Sequence, residues 1–142
     1  MVGESEVAPN RGRIVQWSIQ GLGGKEGQRW CAFFACQAVQ QELLARGDLA
    51  GVSNWRRISS GSCATLWARL AALGFTVQSP ALGDFVFFGG RAAELHHVGL
   101  VQRYSAEQAM VYTVEGNSGD AVREHHYPLG YPGIFGYQRL PW

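Results

Sequence analysis

Three cysteines and four histidines are the residues of this chain whose types could carry nucleophilic or metal chemistry, and their surroundings differ. Cys31 stands where a glycine-rich stretch, Gly21 to Gly27, meets the start of a run of good helix formers. Free N–H groups and the positive end of a helix dipole favour a thiolate there. A thiolate is the nucleophile that acyl transfer needs, and nearby glycines let a substrate backbone approach closely. The same residue also reads as a small apolar core side chain, and local context alone leaves both readings open. Cys36, five residues on, faces another side of the same helix and reads as structural. Cys63 opens a second helix. That position can lower a thiol pKa, but Ser62 and Ala64 read as a plain helix start.

The histidines form two pairs, His96-His97 and His125-His126. His97 opens the apolar strand His97-Val98-Gly99-Leu100-Val101. Strand alternation puts His97, Gly99 and Val101 on one face and His96 on the other. A histidine at the mouth of a buried strand beside a glycine leaves room for a ligand; it also reads as a satisfied edge histidine. The second pair lies among Arg123 and Glu124 and reads as solvated. No histidine or cysteine pair has helical i,i+4 or zinc-finger spacing and no CxxC occurs, so neither a metal nor another cofactor is expected. In Thr113-Val114-Glu115-Gly116-Asn117, Glu115 and Asn117 share a strand face. A carboxylate near His97 would accept its second ring N–H and stabilise the imidazolium. The segment equally fits a strand end running into a polar turn.

The elements that must position these residues follow from pattern. Residues 1–9 read as an extended lead-in, Asn10-Arg11-Gly12 as a turn, and Arg13 to Gln20 as a short helix or strand. From Trp30 to Arg46, Cys31, Phe34, Ala35, Ala38, Val39 and Leu43 recur at helical spacing, with Gln37, Gln40, Gln41 and Glu42 opposite and Gly47 as a stop. Asp48 to Ser62 reads as a loop holding Trp55. A second helix, about Ser62 to Leu73, carries a Leu66, Leu70, Leu73 stripe and ends at Gly74. Beyond Pro80 the pattern becomes strand-like: Asp84 to Phe88, His97 to Tyr104, Met110 to Glu115, Val122 to Tyr127 and Ile134 to Leu140, with Ser118-Gly119 as a hairpin turn. Helices followed by about five strands predict an α+β fold, the helices packed on a mostly antiparallel sheet, in one domain over residues 1–142.

Composition limits the partners. The chain has 142 residues, 46% hydrophobic, enough for one core. Its net charge is +1 with 16% charged residues and no basic run, which argues against nucleic acid. No stretch approaches the roughly 20 apolar residues of a bilayer span. The N-terminus is acidic and lacks an apolar signal region, so synthesis in a cytoplasm without a signal peptide is expected. The odd, low cysteine count argues against a disulfide framework.

Taken together, Arg29-Trp30-Cys31-Ala32-Phe33-Phe34, Pro80-Ala81-Leu82-Gly83-Asp84-Phe85-Val86-Phe87-Phe88, His97-Val98-Gly99-Leu100-Val101, Thr113-Val114-Glu115-Gly116-Asn117 and Ile134-Phe135-Gly136-Tyr137 resemble, in this order, the CHAP domain. That is the cysteine- and histidine-dependent amidohydrolase/peptidase family, of the papain-like class and close to the NlpC/P60 hydrolases. The resemblance spans the chain from about Asn10 to its end. It implies Cys31 as nucleophile, His97 as general base, Glu115 as orienter and Asn117 as a fourth polar member, with no cofactor. The implied activity is cleavage of an amide or peptide bond of bacterial peptidoglycan, by a phage lysin or tail-associated lysin. Many members carry a wall-binding module and none is read here, so delivery would come from a phage tail, a secretion machine or release at lysis. Two other roles fit the same residues: an antibacterial effector held in check by an immunity protein, and a non-catalytic virion component.

Overall fold

The computed structural model describes residues 1–140. Pro141 and Trp142, the last two residues of the expected domain, lie outside the described residues. Among those described, four α-helices precede a six-stranded antiparallel sheet, the α+β arrangement expected. The helices are α1 (Arg13–Ile19), α2 (Cys31–Ala45), α3 (Leu49–Ile58) and α4 (Cys63–Ala72). The strands are β1 (Thr76–Val77), β2 (Phe85–Phe88), β3 (His97–Ser105), β4 (Met110–Ser118), β5 (Ala121–Pro128) and β6 (Ile134–Gln138), in the spatial order β1-β6-β2-β3-β4-β5. The two-residue β1 raises the expected five strands to six; it pairs with β6 at one edge. Two residues are too few for alternation to register in the sequence.

The helices cover one sheet face. Phe85, Phe87 and Val98 join Ala35, Val39, Leu43, Trp55, Leu66 and Leu70 in one buried cluster. Alternate strand residues, Val86, Phe88, Val101, Val111 and Tyr137, bury one another on the opposite face. Register shifts between Phe87 and Phe88, Val101 and Arg103, and Glu115 and Ser118 mark irregularities of the kind that bend strands. The β4–β5 hairpin turns through Gly119 and Asp120, both at positive φ, as a two-residue turn requires.

Residues 48–62, read as a loop, contain α3. Asp48 caps it by accepting from the Gly51 N–H at 2.8 Å, and Val52 and Trp55 are its buried side chains. Two inward residues in ten positions make too thin a stripe to reveal a helix by periodicity. Leu73, placed in the α4 stripe, is 52% exposed, because the helix ends at Ala72 and Gly74 turns the chain at φ 78.

Helix α2 departs most from its expected amphipathic form. Gln37 and Gln40, assigned to a polar face, are buried. The Gln37 side-chain amide donates to the Trp17 and Gln20 carbonyls at 2.6 and 2.8 Å, and Gln40 donates to Gln20 O at 3.0 Å. These are carbonyls at the end of α1, where a helix runs out of its own donors. The chain then leaves through Gly21, so the glutamines cap α1 and moor α2 beneath it. Gly47, at φ 70, ends α2 as its spacing predicts, with Asp48 N–H returning to Leu43 O at 3.0 Å.

Candidate active site

Cys31 is the first residue of α2, so its backbone N–H has no partner within the helix. The preceding Trp30 is fully buried and donates its indole N–H to Glu6 at 2.9 Å, tying the extended lead-in to the helix start. Phe34, one turn on, packs where a Cβ on Gly116 would fall, so α2 begins against the end of β4. That is also the end at which β3 begins, with His97.

His97 Nε2 lies 2.8 Å from Glu115 Oε1. The other carboxylate oxygen accepts from Thr113 Oγ1 at 2.6 Å and from the Tyr127 hydroxyl at 2.8 Å. An ionised carboxylate only accepts, so Nε2 carries the proton and Nδ1 is left for the thiol. Glu115 is only 2% exposed, and the three bonds replace the water it has lost. Gly99 makes this possible: a Cβ there would stand 2.6 Å from Glu115 Cγ. The room beside His97 that the sequence offers to a ligand is taken by this carboxylate.

Cys31 and His97 act on one another's protonation. The Cys63 thiol, hydrogen-bonded to the Cys31 sulfur, is the largest influence drawing its pKa from 9.0 down to about 4; burial opposes this, and His97 and the Arg29 guanidinium assist. Burial works against the charged form of His97, but its bonds to Cys31 and Glu115 outweigh burial and raise it to about 9. Glu115, penalised by burial, is held below its ordinary value chiefly by His97 and Thr113. Between these limits the site holds a thiolate, an imidazolium and a carboxylate, the charge pattern of a primed cysteine nucleophile.

Other polar and thiol side chains, those singled out in the sequence and Gln28 near the start of α2, fall differently. His96 is exposed and precedes the strand; its carbonyl accepts from Arg29 at 3.1 Å. Asn117 lies on β4, but the register shift after Glu115 and its φ of 55 break the alternation that puts the two on one face, and no side-chain hydrogen bond joins it to His97 or Glu115. Gln28 is exposed, with its carbonyl oxygen accepting from Lys25 N–H at 2.9 Å. His125 accepts or donates a 2.6 Å hydrogen bond with Ser118. Cys36 is fully buried, and burial pushes its thiol up to about 12.

Sequence reasoning passed over three contributors. Thr113 was visible as the same-face neighbour of Glu115, two residues earlier. Tyr127 reaches Glu115 from the neighbouring strand, which no local pattern reveals. Cys63 was read as a helix start, yet its sulfur lies 3.8 Å from that of Cys31 across 32 residues of sequence.

A recess of about 360 Å³ beside the Cys31 end of α2 is lined by Gly23, Gln28, Arg29, Phe33, Gly61 and Ser62. Neither this recess nor two larger ones elsewhere is lined by Cys31, His97 or Glu115. Among the described residues, no group of three or more His, Cys, Asp or Glu side chains is arranged to hold a metal ion, and no helix is long and apolar enough to cross a membrane. Comparison with family models, curated proteins and solved structures gives no match to this chain.

Proposed function

We propose that this chain is a cysteine hydrolase of the CHAP type, with a papain-like arrangement, that cleaves an amide or peptide bond of bacterial peptidoglycan. The observation that carries the thiol chemistry is the hydrogen bond between His97 Nε2 and Glu115 Oε1 at 2.8 Å, with His97 in turn lowering the pKa of Cys31 at the start of α2 and having its own raised by that thiol. The peptidoglycan substrate, and service as a phage lysin or tail-associated lysin, rest on the ordered sequence resemblance.

In this mechanism the Cys31 thiolate attacks the carbonyl carbon of the scissile amide. The developing oxyanion sits at the N-terminus of α2, where the Cys31 N–H is free to donate and the Gln28 side-chain amide is a second candidate. Each such donor contributes roughly 3 kcal/mol to the transition state. The His97 imidazolium gives its proton to the leaving amine and then, as imidazole, takes one from the water that releases the acyl group. Glu115 holds the ring and offsets its charge without taking the proton. The recess at Arg29 and Phe33, beside the Cys31 end of α2, is the approach this reading assigns to the peptide.

The test is digestion of purified cell walls, with the muropeptides read by mass spectrometry. New amino termini and carboxylates should appear with the wild-type chain and be absent with Cys31→Ala, while circular dichroism of the two proteins coincides. Walls left intact by well-folded wild-type protein, across Gram-positive and Gram-negative sources, would sink the proposal.

A further inference from the structure

Cys63 supports the Cys31 thiolate through its hydrogen bond but forms no covalent bond in acyl transfer, so its own sulfur chemistry is left unused there. It opens α4, after the Ser62 cap accepts from the Thr65 N–H at 3.2 Å, and both it and Cys31 are free thiols. The two sulfurs lie 3.8 Å apart. Cys36, by contrast, faces the Ser60 carbonyl at 3.9 Å. A disulfide needs the sulfurs at about 2.05 Å, so closing the gap asks for a shift of under 2 Å. Each cysteine is the first residue of its helix, where the backbone N–H is not yet held by the helix.

We propose that Cys63 is the resolving partner of Cys31, so that peroxide converts the pair into a reversible disulfide that switches the nucleophile off and shields it from irreversible oxidation. This rests on the proposed function for its regulatory meaning; the sulfur chemistry itself requires only the two thiols.

The steps balance. The Cys31 thiolate attacks one oxygen of hydrogen peroxide: an S–O bond forms, the O–O bond breaks, and hydroxide leaves and is protonated to water. Sulfur loses two electrons and peroxide gains them. The Cys63 sulfur then attacks the sulfenic sulfur. The S–S bond forms, the S–O bond breaks, and the hydroxyl leaves as water with the Cys63 proton. A dithiol reductant returns both thiols by exchange. The electrostatics order the steps. In the resting site the Cys31 thiolate, through its bond and charge, and burial keep the Cys63 thiol protonated. A sulfenic acid carries no charge, so oxidation of Cys31 removes the thiolate's part of that restraint and leaves burial. Arg29 then favours the Cys63 thiolate when it is needed.

Limited hydrogen peroxide at neutral pH, alkylation of remaining thiols, and tryptic mapping without reduction test this. The expected product joins peptide 30–46 to peptide 58–69, with fragment ions placing the bridge on Cys31 and the alkyl group on Cys36. Wall hydrolysis should fall with the bridge and return with dithiothreitol. In Cys63→Ala the same exposure should carry Cys31 to sulfinic acid, and the recovery, relative to that variant's own untreated rate, should be lower by about tenfold or more. Wild-type protein in which Cys31 becomes sulfinic acid beside an unmodified Cys63, or in which the bridge forms through Cys36, would overturn the inference. If untreated protein does not hydrolyse walls at all, the proposed function fails, while the peptide map still decides the thiol pair.

Discussion

At the site the chemistry turns on how three charges hold each other. The Cys31 thiolate forms as pH rises through about 4, and the His97 imidazolium is lost as pH rises through about 9. Hydrolysis that needs both is therefore expected to follow a bell-shaped pH profile in kcat/KM with limbs near those values. Replacing the carboxylate shifts one limb in a known direction. Glu115→Gln removes the negative charge that raises His97 and leaves only a weaker, neutral acceptor, so the alkaline limb should move to lower pH and the neutral-pH rate should drop by roughly 10²- to 10⁴-fold. An unmoved alkaline limb would assign that ionisation to another group. The thiols should separate in a second measurement. Brief iodoacetamide treatment near pH 6 should label Cys31 ahead of Cys36, whose thiol is pushed up to about 12 and fully buried. Even labelling of the two, read by peptide mapping, would contradict a thiolate at Cys31.

At the level of elements, β3 and β4 bring His97 and Glu115 together only because Gly99 lies between them without a side chain. Gly99→Ala would put a Cβ 2.6 Å from Glu115 Cγ and 3.2 Å from the Val114 carbonyl. Glu115 must then move, and the His97 bond with it. The expected outcome is loss of wall hydrolysis by about 10²-fold or more with far-ultraviolet circular dichroism unchanged, since a misplaced base costs rate before it costs fold. Activity within a few-fold of wild type would show that the carboxylate tolerates displacement. The helix starts carry smaller costs. Ser62→Ala removes the cap of α4 and should lower stability by about 1 kcal/mol in urea unfolding.

Over the whole molecule, the site depends on α2 being clamped from several directions. Helix α1 sits above it through Gln37 and Gln40, β3 and β4 lie beneath it, and α3 locks alongside by the Trp55 indole donating to Cys36 O at 2.9 Å. Helix α4 shares the same core, through Leu66 and Leu70. Leu70→Ala should cost about 2–5 kcal/mol, the range for a cavity left in a packed interior, read as a lower urea midpoint with an unchanged slope. A loss below about 0.5 kcal/mol, the scale of an ordinary surface change, would mean that α4 is not part of one cooperative core.

The sequence by itself determined the α+β order of elements, the strong helix after Cys31 and the four strands from Phe85 to Tyr127, because burial on one or both faces writes a repeating pattern into local residues. It also singled out Cys31, His97 and Glu115, since a thiol at a helix start, a histidine opening an apolar strand and a carboxylate at a strand's end each sit in recognisable local chemistry. Tertiary structure decided what local pattern cannot encode. The thin stripe of Val52 and Trp55 becomes α3 only when a core is there to receive it. Gln37 and Gln40 turn inward because the end of another helix leaves carbonyls needing donors. Asn117 separates from Glu115 because a register shift interrupts alternation. Tyr127 and Cys63 enter the site by long-range packing alone: one crosses a strand pair, and the other crosses 32 residues to place its sulfur against Cys31. Such contacts depend on where whole elements dock, and docking is settled by the combined fit of the core rather than by any segment within it.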